Sequence, residues 1–217
     1  MEIEVFADIW CPFAHVSLHQ LVPLRDELAP DTPILVRAWP LELVNGSPLD
    51  PGTTATHVAE LRRDVAPDLF AGFDPRVMPR STLGALALVE AANEADPWLG
   101  ERLSLELRDA FFERGELLDV PMLSDLARHN GLSADVVFDR QSVERQWARG
   151  RARGVRGSPH FFVGGTDFFC PLLDIDRDEA GGLHLRDRLE RMRGFLRLGL
   201  AEGRDPTPST FGREGLR

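Results

Sequence analysis

The sequence predicts an α/β protein in which a β-α-β half and a β-β-α half are separated by a long helical insertion. Three observations predict it. Alternating apolar residues near the amino terminus run straight into a helix that opens on proline. The middle of the chain carries helical segments that start at Ser or Asp and stop at Gly. Beyond them the pattern shifts to short apolar runs across a Gly-Gly turn.

Ile3, Val5 and Ala7 alternate with Glu2, Glu4 and Phe6, as a first strand requires. Pro12 suits the first turn of a helix, where its missing N–H would lack a partner anyway. Val16, Leu18, Leu21, Val22 and Leu28 give that helix an irregular apolar face, which Pro23 is expected to bend. Pro30-Asp31-Thr32-Pro33 is a turn, and "ILVRAWPLEL" from Ile34 to Leu43 reads as a second strand running into a loop. Such β-α-β units are usually parallel and right-handed. In the middle, Thr54 to Val65 is one helix and Ser81 caps "TLGALALVEAANEA". Asp96-Pro97 starts "WLGERLSLELRDAFFERG", which Gly115 ends; "VPMLSDLARHNG" ends at Gly131, and Ser133-Ala134-Asp135 opens a helix toward Gly150. His160 to Val163 is a strand, Gly164-Gly165 a hairpin turn and Thr166 to Phe169 the return strand. Leu185 to Leu200 is predicted as a final amphipathic helix, and the Pro-, Ser- and Thr-rich tail from Arg204 is expected to fray or lie over the surface.

Composition narrows the function. The 217 residues carry a formal charge of -10, which argues against a nucleic-acid surface. Every basic residue is arginine, and with no lysine and no tyrosine the chain has no catalytic group of either type. No basic, apolar leader precedes the first strand, and no run approaches the roughly 18 apolar residues of a membrane span. Two cysteines are too few for a disulfide framework. The expectation is a soluble cytoplasmic protein without nucleic-acid or membrane partners.

The chemistry concentrates at Asp8-Ile9-Trp10-Cys11-Pro12-Phe13-Ala14. A cysteine at the amino terminus of a helix faces free N–H groups and the positive end of the helix dipole, which favour its thiolate over the reference pKa of about 8.5. Cys11 is therefore either a working thiol with a lowered pKa or a structural cysteine. Asp8 reads as a proton-relaying carboxylate or as a strand-end cap, and Trp10 as a wall of a substrate groove. Trp39, Trp98 and Trp147 read as core or interdomain anchors. Arg149, Arg151, Arg153 and Arg156 form a solvated helix end or hold the carboxylates of a small thiol. No Cys or His pair is read as having ligand spacing, so no metal is expected. Gly164-Gly165 is too short for a nucleotide loop, and no Ser-His-Asp signature is present.

Cys11-Pro12 at the first strand-to-helix turn, with Val155-Arg156-Gly157-Ser158-Pro159-His160-Phe161-Phe162 before the third strand, resembles the DsbA family of thioredoxin-fold thiol–disulfide oxidoreductases, and the FrnE-like cytoplasmic branch in particular. The likeness spans roughly Ile3 to Leu200. It implies a thioredoxin-like domain from 1–45 and 154–203, an inserted helical subdomain at 46–153 and a tail at 204–217. It also implies that Pro159 is a cis-proline facing the thiol, and that the Ser158 backbone receives an extended thiol-bearing substrate.

The family pattern is C-x-x-C, whereas here the fourth position is Ala14, so a Cys11–Ala14 dithiol cycle is impossible. The related kappa-class glutathione transferases and hydroxychromene carboxylate isomerases carry Ser-Pro at the first position and bind glutathione there. The expected function is therefore thiol–disulfide exchange by the single nucleophile Cys11 on a protein or small-molecule substrate. The expected substrate-binding residues are Trp10, Pro12, Phe13, Ala14, Ser158, Pro159 and His160. The mixed disulfide is resolved by a glutathione- or mycothiol-like thiol, with no cofactor bound, or, as the lesser expectation, by Cys170, which the hairpin returns toward the same end. The favoured reading of Cys170 is a buried apolar cysteine beside Phe168, Phe169 and Pro171. A small-thiol transferase or isomerase, and a non-catalytic peptide-binding module, are the alternatives.

Overall fold

The computed structural model describes residues 2–170, 173–177, 183–187 and 189–202. A four-stranded sheet has the order β2-β1-β3-β4, formed by β1 (Ile3–Ala7), β2 (Ile34–Ala38), β3 (His160–Val163) and β4 (Thr166–Phe169). β1 pairs parallel with β2, Ile3 opposite Ile34, and antiparallel with β3, Ile3 opposite Val163. β4 returns antiparallel to β3. Helix α1 (Pro12–Leu28) makes the crossover from β1 to β2 and continues through Pro23. This is the thioredoxin-like α/β architecture that the element order predicts.

All five residues of β1 are buried because the strand is covered on both faces. Ile3, Val5 and Ala7 pack with Leu18 and Leu21 of α1 and with Met192, Phe195 and Leu196 of α8 (Leu189–Glu202). On the other face Phe6 meets Trp39, Val155 and Phe162 beneath α7 (Arg140–Ala152). α7 approaches closely at Gly150, where an added Cβ would lie 2.8 Å from Trp39 and 3.0 Å from Phe6. Glu4 lies on this face, buried, and ion-pairs with Arg37, Arg149 and Arg153.

Between β2 and β3 come α2 (Leu41–Asn45), α3 (Pro51–Asp64), α4 (Leu83–Ala95), α5 (Pro97–Phe112), α6 (Val120–His129) and α7. Their shared core, with Leu86, Val89, Leu103, Leu107, Phe111 and Leu123, also takes in Ile9, Trp10 and Val16 from the first half of the chain. The insertion is anchored along β2. That strand is an edge, and its outward backbone groups would be exposed for pairing. Instead Ile34 N–H donates to Glu101 Oε2 at 2.7 Å, Ala38 N–H to Glu90 Oε1 at 2.6 Å, and Val36 C=O accepts from Asn93 Nδ2 at 2.9 Å. Glu101 also takes the buried Arg25 guanidinium at 2.7 and 2.5 Å, tying α1 to α5.

Several elements differ from the expectation. α2 forms where a loop is predicted. The helix expected from Ser133 breaks into a 3-10 turn (Ala134–Phe138) and α7, because Asp139 accepts from Ser142 N–H and starts a new cap. The helix expected from Leu185 begins at Leu189. Before it, β5 (Leu173–Arg177) and β6 (Leu183–Asp187) form an antiparallel hairpin. Leu183-His184-Leu185-Arg186 alternates apolar with polar, a period of two that the helical reading overran. Trp98 is 41 % exposed, with Arg25 stacked over its ring, and so is not a core anchor. The expected tail at 204–217 lies outside the described residues. Among the described residues no helix is long and apolar enough to cross a membrane.

Arg25 and Glu101 are 3 % and 6 % exposed, so removing one partner strands the other as a buried charge. Glu101→Ala is expected to cost about 3–5 kcal/mol in urea unfolding, against less than about 1 kcal/mol for Asp26→Ala at the exposed end of the same cluster. Equal, small losses would refute this account of the joint.

Candidate functional site

β1 ends at Ala7 and the chain turns through Asp8-Ile9-Trp10 to reach Cys11, the N-cap of α1. Cys11 has extended backbone angles (φ -75°, ψ 111°), and its C=O accepts from His15 N–H at 3.1 Å. Its thiol donates to the Ser158 C=O at 3.1 Å. The Ser158–Pro159 peptide bond is cis. Cys11 is only 3 % exposed, yet it stands in the wall of a groove of about 360 Å³. Pro12 and Phe13, Leu41 and Asn45 of α2, Asp50, Thr54 and His57 of α3 with its cap, and Ser158 also line it. A cavity of that size suits a small molecule or a short peptide segment.

Asp8 holds the turn from every side. Its N–H donates to Ser158 Oγ at 2.9 Å. Its carboxylate accepts from Trp10 N–H at 3.0 Å, Leu41 N–H at 2.6 Å and Thr82 Oγ1 at 3.3 Å. Its C=O accepts both Cys11 N–H at 3.4 Å and Arg108 Nη1 at 2.9 Å. Arg108 of α5 is fully buried, and its Nε and Nη2 have no hydrogen-bond partner among the described residues. A guanidinium beside the backbone of the cysteine, with donors to spare, is a fixed positive charge at the thiol.

Burial dominates the protonation states here. It pushes the Cys11 thiol up, and it outweighs the hydrogen bonding by Ser158 and Ala14 N–H and the attraction of Arg108. The thiolate-favouring helix terminus expected from sequence is overridden, and the resting sulfur is a protonated donor. Burial likewise raises Asp8 to about 6 and lowers Arg108 to about 10. Cys170 is pushed up to about 12, first by burial and then by the proximity of Cys11.

A family model described as DSBA-like thioredoxin domain matches residues 2–177. The chain belongs to that family. Comparison with curated proteins gave no significant match. Among solved structures it is similar to the cytosolic disulfide reductase DsbM of Pseudomonas aeruginosa (14% identity, 93% of this chain and 99% of that one, TM-score 0.59), which is also solved with GSH (15%, 93% and 100%, TM-score 0.61). It is similar to a probable DsbA oxidoreductase of Streptomyces coelicolor (17%, 97% and 93%, TM-score 0.63). A 2-hydroxychromene-2-carboxylate isomerase also shares the fold (15%, 94% and 95%, TM-score 0.54).

In this DsbA-like frame the expected residues separate. Cys11, Pro12, Phe13 and Ser158 meet at the groove. Ala14 and Pro159 are buried and do not line it, and the Pro159 C=O accepts from Cys170 N–H at 3.0 Å. Trp10 is not a groove wall: it is 1 % exposed and packs on Phe111 in the helical core. His160 does not line the groove either. Its Nδ1 accepts from Arg156 N–H, its Nε2 meets Asp167 at 2.8 Å, and its ring stacks on Phe162 on the α7 face. The arginine run does not reach the groove: Arg149 and Arg153 pair with Glu4, Arg151 lies over Trp147 and Arg156 over Phe169. Both cysteines are free and both bond the Ser158–Pro159 unit, Cys11 through its thiol to the Ser158 C=O and Cys170 through its backbone N–H to the Pro159 C=O.

Sequence reasoning missed Arg108 and the α2–α3 wall. A signal for Arg108 existed: with Ser104 it interrupts the buried stripe of Leu103, Leu107, Ala110 and Phe111 on α5. Alkylation of Cys11 is expected to rise with pH to a midpoint above the reference of about 8.5, and Arg108→Met is expected to move that midpoint further alkaline, because removing a positive charge penalises the thiolate. A midpoint below 8.5, or no movement in Arg108→Met, would overturn this assignment.

Proposed function

We propose that the chain is a thiol–disulfide oxidoreductase of the FrnE-like branch that works through Cys11 as its single nucleophile. The observation that carries the reading is the Cys11 sulfur in the wall of a ligand-sized groove, bonded to the Ser158 carbonyl. Membership of the DSBA-like family and the DsbM-like fold support it. An extended disulfide substrate offers a backbone N–H to Ser158 C=O, which frees the thiol to ionise with the Arg108 charge behind it. The thiolate attacks one substrate sulfur, forming a Cys11 mixed disulfide and releasing the other sulfur as a thiolate. With Ala14 in the fourth position, an external thiolate attacks the mixed disulfide, regenerates Cys11 and leaves with the substrate sulfur. Cys170 is a poor resolving group because burial keeps its thiol protonated. A cycle of this kind draws on a reduced small-thiol pool, which fits a cytoplasmic setting.

The groove chemistry favours one kind of small thiol. Among the described lining residues there is no arginine, while Asn45, Ser47, Asp50, Thr53 and Thr54 offer amide, hydroxyl and carboxylate groups. A neutral, hydroxyl-rich thiol of the mycothiol kind fits this lining better than glutathione, whose carboxylates would face Asp50. The protonated Cys11 favours a second reading, in which the thiol donates a hydrogen bond to a bound small thiol in a transferase or isomerase without net redox change.

Insulin reduction with added small thiols tests this reading. Turnover is expected to require the small thiol, to vanish in Cys11→Ser and to persist in Cys170→Ser. Glutathione is expected to show a higher KM than a neutral sugar-linked thiol by roughly fivefold or more, the factor given by a like-charge contact of about 1 kcal/mol. Activity surviving Cys11→Ser would refute the nucleophile. Small-thiol binding by Cys11→Ser without disulfide reduction by the parent protein would favour the second reading.

A further inference from the structure

We propose a divalent transition-metal site of the zinc type, formed by His15 and His19, one and two turns along α1 from Cys11, and by Asp109 of α5. One donor atom from each of these residues lies within 4.8 Å of the other two. His15 and His19 are four apart on α1, so their rings share a face, with centroids 4.5 Å apart. Asp109 and Glu113 repeat that spacing on α5 and meet them: His19 Nε2 lies 2.9 Å from Asp109 Oδ1, and His15 Nε2 lies 2.6 Å from Glu113 Oε1. The H-x3-H spacing was legible in the sequence, and the expectation of no metal passed over it.

The second observation is His15 itself. Its ring is fully buried against Phe70 and Phe112, and its Nδ1 has no hydrogen-bond partner among the described residues. A carboxylate only accepts, so Nε2 carries the proton given to Glu113, and Nδ1, with no acceptor near it, holds a lone pair. A histidine whose one ring nitrogen donates to a carboxylate while the other presents a lone pair is the arrangement found at metal-binding histidines. Glu113 is itself fixed, accepting from Phe70 N–H at 2.8 Å and Ala71 N–H at 3.1 Å.

Two imidazoles with a carboxylate are donors that zinc accepts at about 2.0–2.2 Å, usually with a fourth position left to water. Small rotations of His19 and Asp109, 32% and 33% exposed, would close the set around an ion and give it a path from solvent. The Asp109 and Glu113 carboxylates offset its charge. Arg108, which acts on His15 electrostatically, limits the affinity.

The test is calorimetric titration of the chelator-treated full chain with Zn²⁺, together with the visible spectrum of its Co²⁺ complex. One equivalent is expected to bind, Cys11→Ser is expected to bind equally well, and Co²⁺ is expected to give d–d absorption without a sulfur charge-transfer band. His19→Ala and Asp109→Asn, at half-exposed positions that spare the core, are each expected to weaken binding by at least about tenfold, the effect that even outer partners of a metal command. No saturable binding, binding indifferent to both variants, or binding lost in Cys11→Ser would overturn the proposal. None of these outcomes depends on the redox reading.

Discussion

The structure turns on one buried residue, Asp8, whose polar atoms are all engaged at the point where the central strand ends. Its bonds reach the Ser158 hydroxyl, the start of α2 at Leu41, the Thr82 cap of α4, the guanidinium of α5 and the amide of Cys11. The thioredoxin-like sheet and the helical insertion are therefore joined at the residue that also sets the cysteine. A buried carboxylate left without such donors would cost several kcal/mol. Three donors answer it here, and each belongs to an element the site needs. The choice between relay and cap is thus decided toward structure in the resting state, while a pKa near 6 leaves the group able to change charge close to neutrality.

The same burial shapes the thiol. Cys11 sits at a helix terminus, which should favour its anion, but the desolvation of a nearly closed site is larger and the proton stays on sulfur. Arg108 makes sense in that setting. A buried cation costs most when nothing answers it, and two of its three nitrogens have no hydrogen-bond partner among the described residues. The charge it lacks is the one that Cys11 would acquire. On the proposed reading, such a site would be quiet at rest and would become nucleophilic when a substrate takes the Ser158 carbonyl away from the thiol.

Much of this was legible in the chain. Cys11-Pro12, the β3–β4 hairpin around Gly164-Gly165 and the Asp96-Pro97 and Gly115 boundaries follow from local rules of turn and cap, and such rules act within a few residues. What was not legible depends on partners distant in sequence. Trp10 and His160 flank the motif residues but point away from the groove, because each meets a buried partner on another face: Phe111 for one, Asp167 and Phe162 for the other. The arginine run looked like an anion site until Glu4, a strand residue about 150 positions earlier, took two of its members. The wall at Asp50, Thr54 and His57 carries no motif; it becomes a wall only because Asp8 draws α2 in at Leu41.

α1 and α5 form the seam along which these separate features line up. From its start, α1 presents Cys11, His15 and His19 at intervals of one turn, and α5 answers with Arg108 toward the thiol, Glu113 toward His15 and Asp109 toward His19. Farther along, Arg25 meets Glu101. Helices that pack only through apolar side chains can slide by small amounts, whereas fixed polar pairs set one register. The position of Arg108 relative to the sulfur is therefore supported by pairs farther along the two helices. An ion bound at His15, His19 and Asp109 would tighten the pairs nearest the thiol, so the proposed metal site and the proposed thiol site, though chemically independent, would share one mechanical support.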